Sequence, residues 1–252
     1  MQDLYVSDTG KGYPLVLIHG FLGSSEMWMP QIEYFKSNYR VITLDLPGFG
    51  KSNKVKSCDS IASMAKIIIH NLKKRDIKKF NLLGHSMGGM IVQEIVKISE
   101  ESISKLICYG TGPLGNMPGR FETIDQSREK LKNEGLEVVA NRIAKTWFTE
   151  GDKANYFYLC SKAGRQTSII AADNALIAMK NWSGLEFLKK IKKKTLIIWG
   201  DQDKAYNFNQ VETLNKNILN SKLKILKGFS HNVHLETPQE FNKCVYDFLK
   251  EK

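Results

Sequence analysis

The segment Gly84-His85-Ser86-Met87-Gly88 carries the strongest structural signal in this chain. It follows a short apolar run, residues 80–83, and precedes residues 90–96, where apolar side chains recur with the period of a helix. A serine between strand and helix, with a glycine two residues to either side, is typical of a nucleophile elbow. The turn strains the serine backbone, and a side chain at position 84 or 88 would collide with the neighbouring strand or helix. We therefore expect the Ser86 hydroxyl to stand clear of a sheet, beside the N–H groups of a helix N-terminus.

Strand and helix signals alternate along most of the chain. Helical patterns lie between most of the short apolar runs, which predict strands. The predicted strands are residues 14–18, 41–44, 80–83, 105–109, 195–199 and 223–226. Strands separated by helices pair in parallel through right-handed crossovers. We therefore predict an α/β fold with a mostly parallel central sheet and helices on both faces.

The alternation stops between Gly112 and about Gly184. This stretch contains only helix-like segments, at residues 121–133, 136–147, 155–161 and 167–182. An all-helical insertion in an alternating chain indicates a cap over the carboxyl edge of the sheet. We expect a helical cap at residues 113–184, inserted after the sixth strand, and a core formed by residues 1–112 and 185–252.

Composition narrows the class of protein. With 252 residues, of which 42% are hydrophobic and 25% charged, the chain is typical of a globular protein with a full core. No apolar run approaches the ~20 residues that span a bilayer, and the N-terminus lacks the pattern of a signal peptide. The cysteines match neither a metal spacing nor a disulfide framework: Cys58, Cys108, Cys160 and Cys244. We expect a cytoplasmic protein, a monomer or homodimer, that needs no metal or organic cofactor.

A formal net charge of +11 raises the alternative of a nucleic-acid or membrane partner. Most of the basic residues are lysines that lie singly on polar helix faces or in loops, and no aromatic residues interleave with the lysine runs. A single-strand binding platform requires such aromatics. We therefore interpret the charge as solvated surface lysine and expect no nucleic-acid partner.

Two further polar turns follow predicted strands. Gly200-Asp201-Gln202-Asp203 comes after residues 195–199, and Gly228-Phe229-Ser230-His231 comes after residues 223–226. The chain order Ser86, Asp203, His231 is that of one class of serine hydrolases. Because parallel strands present their carboxyl ends at one edge of the sheet, we expect these three side chains to meet there.

At this point the chain resembles the α/β-hydrolase superfamily over essentially its whole length. Six pieces carry the resemblance: His19-Gly20-Phe21, residues 45–52 (DLPGFGKS), residues 84–89 (GHSMGG), Gly200-Asp201-Gln202-Asp203, His231, and Glu236-Thr237-Pro238. More locally, residues 144–148 (AKTWF) resemble 3-oxoadipate enol-lactonases, and residues 19–25 (HGFLGSS) are similar to small esterases and MenH enzymes. Family members usually carry an extra N-terminal strand, and only 18 residues precede His19, so the presence of the first edge strand stays open.

The resemblance implies a role for each residue. Ser86 is the expected nucleophile, His231 the base that removes and returns its proton, and Asp203 the acid that fixes the imidazole tautomer. The backbone N–H groups of Phe21 and Met87 are the expected oxyanion hole, by resemblance for Phe21 and by elbow geometry for both.

Other residues compete for some of these roles. Asp201 is an alternative to Asp203, and the family's G-D-x-D turn favours the second acid. His234 is an alternative to His231, and we expect it to pack or hydrogen-bond locally. His19 is expected to tie loops together, and Asp45 to brace its Pro-Gly loop.

Aromatic and basic residues of the predicted cap are candidates for substrate binding. Trp147 and Trp182 either pack the cap or line a mostly apolar pocket. Arginine suits bidentate recognition of a carboxylate, so one hypothesis is a carboxylate-bearing substrate. The cap contains four arginines: Arg120, Arg128, Arg142 and Arg165.

These features together predict a serine hydrolase that cleaves small carboxylic esters or lactones through an acyl-enzyme. A C–C bond hydrolase or a MenH-like lyase with the same triad is one alternative, and a ligand receptor on the same fold is another. Dehalogenase and epoxide-hydrolase activities are disfavoured because both need a carboxylate where Ser86 stands.

Overall fold

A seven-stranded sheet forms the centre of the structure, a computed structural model that describes residues 2–116 and 122–251. Within these residues the strands are β1 (Val6–Thr9), β2 (Tyr13–Ile18), β3 (Tyr39–Leu44), β4 (Phe80–His85), β5 (Ile103–Tyr109), β6 (Thr195–Gly200) and β7 (Ser221–Leu226). Their spatial order is β1-β3-β2-β4-β5-β6-β7. Strand β1 pairs antiparallel with β3 and every other pairing is parallel, so the prediction of a mostly parallel α/β sheet is confirmed.

The first edge strand, whose presence the sequence leaves open, is present as β1. Strand β1 has a partly exposed and weakly apolar sequence, VSDT, and it is held by pairing with β3. Periodicity gives no signal for so short and polar a strand.

Burial explains why the strands have their sequences. Strands β4 and β6 are buried at every position, which matches their nearly continuous apolar runs. Strand β7 lies at the sheet edge, where exposed Lys222 and Lys224 alternate with partly buried neighbours.

Helices cover both faces of the sheet. They are α1 (Met29–Phe35), α2 (Ile61–Lys74), α3 (Met87–Ser99), α4 (Ile124–Glu134), α5 (Leu136–Lys145), α6 (Phe157–Gln166), α7 (Ile169–Lys180), α8 (Phe208–Asn217), α9 (Val233–Glu236) and α10 (Pro238–Lys250). One apolar cluster contains side chains of α2, α3 and the helices between β5 and β6, and a second contains side chains of α1 and α10. No helix of the described residues has both the length and the apolar character needed to cross a bilayer.

Helices α4 to α7 lie between β5 and β6 as a helical insertion in the chain, and their bounds fall within a few residues of the predicted helical segments. The insertion follows β5, the fifth strand in chain order, and not the sixth, because a single strand precedes Tyr13 in the described residues. Its two ends are joined by an antiparallel bridge between Leu114 and Ser183. The Gly184 N–H also donates to the Pro113 carbonyl at 2.8 Å, so a second hydrogen bond joins the two ends of the insertion.

The register of the sheet brings distant turns to one edge. Ile18 pairs with Gly84, and Gly84 pairs with Cys108 on β5. Further along the sheet, Gly200 pairs with Leu226. Because these strands are parallel and end at similar heights, the turns that follow them share the carboxyl edge of the sheet.

Candidate active site

Ser86 occupies the sharp turn between β4 and α3. Its backbone has φ +56° and ψ −120°, a conformation that residues other than glycine rarely adopt. A Cβ atom on Gly84 would overlap the Gly88 carbonyl, and one on Gly88 would overlap the Ile18 carbonyl at the end of β2. The elbow therefore requires both glycines, as the sequence predicts.

Neighbouring strand residues hold the strained turn in place. The Ser86 N–H donates to the Tyr109 carbonyl at 2.9 Å, and the Thr111 hydroxyl donates to the Ser86 carbonyl at 2.9 Å. Both polar backbone groups of the serine are thus fixed to the end of β5 and the turn after it. Hydrogen bonds of this kind hold a strained residue in one conformation.

His231 and Asp203 form a buried hydrogen-bonded pair. The His231 Nδ1 lies 2.8 Å from the Asp203 Oδ2, and both side chains are almost completely buried. The other oxygen, Asp203 Oδ1, accepts the backbone N–H groups of Ala205 at 2.7 Å and Tyr206 at 3.1 Å. With the carboxylate accepting at Nδ1, the imidazole carries its proton there, and Nε2 is left as the basic nitrogen.

His231 packs against the strand end that holds Ser86. A Cβ atom placed on Gly110 would lie 3.3 Å from Cε1 and Nδ1 of the His231 ring. Gly110 stands between Tyr109 and Thr111, whose polar groups bind the Ser86 backbone. The ring of His85, the residue before the serine, lies 4.5 Å from the His231 ring between centroids. The imidazole and the elbow therefore share one small region of the sheet edge.

Aromatic rings surround the His231 imidazole. The Tyr206 ring stacks on it with a centroid distance of 5.7 Å and an interplanar angle of 11°. The Trp147 ring of the insertion lies 6.1 Å away. Tyr206 is not among the residues predicted from the sequence, although its position three residues after Asp203 indicates that it shares the turn.

The loop after β2, which contains Gly20 and Phe21, lies against the elbow at Gly20. A Cβ atom on Gly20 would lie 3.4 Å from the Ser86 Oγ, so the backbone of this loop adjoins the serine hydroxyl. His19 ties the loop down, because its Nδ1 donates to the Gly20 carbonyl at 2.8 Å and its Nε2 accepts the Leu46 N–H at 3.0 Å. Burial lowers the pKa of the His19 imidazole, which keeps it neutral for this bridge. The structural role expected of His19 is confirmed.

Asp45 braces the neighbouring loops, as expected. Its Oδ1 accepts the Ser25 N–H at 2.6 Å, and its Oδ2 accepts the Lys51 N–H at 2.7 Å. These charge-assisted bonds join the Pro-Gly loop to the segment that follows Phe21.

The competing residues Asp201 and His234 have hydrogen-bond partners outside the imidazole–carboxylate pair. Asp201 Oδ1 accepts the Gly228 N–H at 2.7 Å and so closes the turn before His231. His234 is fully buried, with its Nδ1 3.0 Å from the Tyr109 Oη. Of the two acids, Asp203 bonds to His231.

Backbone contacts connect the insertion to the loop that carries His231. The Asn232 N–H donates to the Trp147 carbonyl at 2.9 Å. Glu236 accepts the Thr149 N–H at 2.7 Å and the Ser230 N–H at 2.6 Å, one with each carboxylate oxygen. The end of α5 and the His231 loop are therefore held as one unit.

The other candidate substrate-binding residues have protein partners. Trp182 donates its Nε1–H to Glu94 on α3 at 3.2 Å. The arginines pair as follows: Arg128 with Asp173 at 2.7 Å, Arg142 with Glu122 at 3.5 Å and Glu134 at 3.4 Å, and Arg165 with the Ser161 hydroxyl at 2.8 Å. Arg120 lies outside the described residues. The structure thus brings Trp147 to the site and gives Trp182 and these three arginines protein partners.

The site offers acid–base groups and a hydroxyl. Within residues 2–116 and 122–251, no group of three His, Cys, Asp or Glu side chains could hold a metal ion. The Ser86 elbow and the hydrogen-bonded pair of His231 and Asp203 lie at the same edge of the sheet.

Comparison with known proteins found matches over most of the chain. Residues 13–238 match the family model described as the alpha/beta hydrolase fold. The (E)-2-((N-methylformamido)methylene)succinate hydrolase of Acinetobacter baylyi is 25% identical, covering 96% of this chain and 92% of the relative. Monoacylglycerol lipase ABHD6 of Rattus norvegicus is 26% identical, covering 93% of this chain and 74% of the relative.

A solved structure shares the fold closely. The esterase EaEST from Exiguobacterium antarcticum superimposes with a TM-score of 0.90 at 23% identity, covering 98% of this chain and 96% of that one. The family match spans most of the chain and includes the elbow and His231. This chain therefore belongs to the alpha/beta-hydrolase fold family.

Proposed function

We propose that this protein is a serine hydrolase that cleaves small carboxylic esters or lactones through an acyl-enzyme. The observation that carries the proposal is the buried 2.8 Å bond between His231 and Asp203, placed beside a serine in a strained elbow. A neutral serine is a poor nucleophile, and an imidazole held in one tautomer is the base that activates it.

The proposed reaction proceeds in two halves. His231 Nε2 takes the proton of the Ser86 hydroxyl as Oγ attacks the ester carbonyl carbon. The tetrahedral intermediate collapses, the C–O bond to the alcohol breaks, and the imidazolium returns its proton to the leaving alcohol. Water then attacks the acyl-enzyme by the same route, which releases the acid and restores the serine. In a lactone the alcohol stays attached to the acid that is released.

Backbone donors stabilise the oxyanion in this proposal. Met87 N–H begins α3, where the helix dipole favours negative charge. Phe21 N–H belongs to the loop that adjoins Ser86 Oγ and that His19 and Asp45 hold rigid. Removal of one such donor costs on the order of 10²–10³ in rate, so the rigidity of this loop contributes directly to catalysis.

The insertion, residues 113–184, is proposed as a cap that shapes the substrate site. Trp147 contributes an apolar surface next to His231, which suits an acyl chain. Arg128 and Arg142 already bind internal carboxylates, so a carboxylated substrate would have to displace those partners. We therefore favour an uncharged acyl group, and we place the protein in the cytoplasm as a monomer or homodimer.

A substrate panel tests the proposal. We would assay p-nitrophenyl esters of increasing chain length, lactones and a β-diketone with the wild type and Ser86→Ala. Steady turnover of an ester or lactone above about 1 s⁻¹, abolished in the variant, is the expected result. Ester turnover by Ser86→Ala within about tenfold of the wild type would overturn the proposal. Faster cleavage of the β-diketone would favour a C–C hydrolase, and a single turnover with bound product would favour a receptor.

A further inference from the structure

A buried polar chain lies behind the backbone of His231. Tyr109, the last residue of β5, and His234, on α9, are both fully buried. The Tyr109 Oη lies 2.8 Å from the His231 carbonyl oxygen, 3.0 Å from the His234 Nδ1 and 3.1 Å from the His234 backbone nitrogen. Three groups therefore converge on one phenolic oxygen.

Only one assignment of protons satisfies all three contacts. The His231 carbonyl can only accept, so the Tyr109 hydroxyl donates its single proton there. The His234 N–H donates to the phenolic oxygen, and its Nδ1 must then carry a proton and donate as well. The phenolic oxygen gives one hydrogen bond and receives two, and His234 is fixed as the neutral Nδ1–H tautomer.

Both side chains keep these protons over the range in which enzymes work. Burial, with a contribution from His231, lowers the pKa of His234 to about 3. Burial raises the pKa of the Tyr109 phenol well above its ordinary value. The chain of hydrogen bonds is therefore unchanged between weakly acidic and weakly basic pH.

Tyr109 also holds the other half of the site. Its backbone carbonyl accepts the Ser86 N–H at 2.9 Å, while its phenol donates to the His231 carbonyl at 2.8 Å. The ring between these two groups is clamped, since it stacks on His85 at 4.5 Å and packs on Phe241 at 4.8 Å between centroids. Tyr109 thus contacts both residues, Ser86 through its backbone carbonyl and His231 through its phenol.

We propose that Tyr109, oriented by His234, is a positioning residue that sets the separation of Ser86 and His231. The proposal rests on the proposed function, because it assigns His231 as the base. Tyr109 touches no substrate; it acts by fixing the backbone of the residue that does. A displacement of about 1 Å at reacting atoms can cost on the order of 10²-fold in rate, so loss of this anchor should lower kcat and leave KM nearly unchanged.

The test compares two tyrosines of the same apolar cluster. Tyr109→Phe removes the hydroxyl and keeps the ring, and Tyr39→Phe does the same at the start of β3, away from the site. Each variant is assayed for p-nitrophenyl acetate turnover and for the rate at which an alkyl fluorophosphonate inactivates it. We expect kcat and the inactivation rate of Tyr109→Phe to fall by about tenfold or more, with KM and the Tyr39→Phe values within about twofold of wild type.

Equal kcat in the two tyrosine variants would overturn the inference. If Ser86→Ala were as active as the wild type, the proposed function would be overturned instead. Failure of the inference and failure of the proposed function are therefore distinguishable. If Tyr109→Phe does not fold, His234→Asn and His234→Leu replace it. The asparagine amide keeps a donor at the Nδ1 position and should restore kcat to within about threefold, whereas the leucine should not; equal loss in both would contradict the inference.

Discussion

Asp203 binds the His231 imidazole at 2.8 Å, while Asp201, two residues earlier in the same turn, binds the Gly228 N–H at 2.7 Å. The two carboxylates of the G-D-x-D turn therefore have separate tasks. Asp203 orients the imidazole, and Asp201 closes the turn that precedes His231. This division makes the pair a matched set for mutation.

Asp203→Asn should lower kcat by on the order of 10³–10⁴, because an amide cannot hold the imidazole in the same tautomer or stabilise its charged form. Asp201→Asn keeps an oxygen that can accept the Gly228 N–H, so kcat should stay within about threefold of wild type. Steady-state ester hydrolysis by both variants measures this. Losses of similar size in both would contradict the assignment of Asp203.

Trp147 and Trp182 form a second matched pair. Trp147→Leu enlarges the space beside His231, so kcat/KM for a long acyl ester relative to acetate should rise by about fivefold. Trp182→Leu changes a side chain that bonds to Glu94, and this ratio should stay within about twofold of wild type. The ratio is independent of the fraction of folded enzyme, so a stability loss does not disturb it. An unchanged ratio for Trp147→Leu would remove this residue from the substrate site.

The protein should become less stable as the pH is lowered, because burial lowers the pKa of His234 and His85. Burial and the neighbouring His231 lower the pKa of His234 from 6.5 to about 3. Between these values the unfolded chain binds a proton that the folded chain does not. The contribution of His234 to the free energy of unfolding should therefore decrease by about 1.4 kcal/mol for each unit that the pH falls.

His234→Asn isolates this contribution. The burial that lowers the pKa of His85 remains in the variant, so part of the pH dependence persists. Urea unfolding from about pH 6 to about pH 4.5 gives the slope of the free energy of unfolding against pH. In the variant this slope should be smaller by the equivalent of roughly one proton. Identical slopes would mean that His234 is protonated in the folded state.

Local sequence features predicted the elbow and the turns around it. Gly84 and Gly88 mark a turn that tolerates no side chain, and the strand signals place Asp203 and His231 at the same sheet edge. Candidate site residues that lie close to strand ends could therefore be predicted from the sequence alone.

Contacts between distant side chains could not be predicted in this way. Nothing in the sequence shows that Tyr109 reaches the His231 carbonyl, because the two residues are brought together only by the packing of α9 on β5. The ion pairs of Arg128 and Arg142 depend on how the inserted helices pack, and helical periodicity alone says nothing of that. The sequence leaves β1 open because long-range pairing, and not its own sequence, makes it a strand.

Trapping the acyl group shows directly whether Ser86 is the nucleophile. Wild-type protein mixed with p-nitrophenyl acetate and quenched with acid should show one acetyl group on Ser86 by mass spectrometry, with a burst of p-nitrophenol that matches the enzyme concentration. His231→Ala should slow this labelling by at least about 10³-fold. Labelling of another residue, or a full burst with Ser86→Ala, would contradict the claim that Ser86 is the nucleophile.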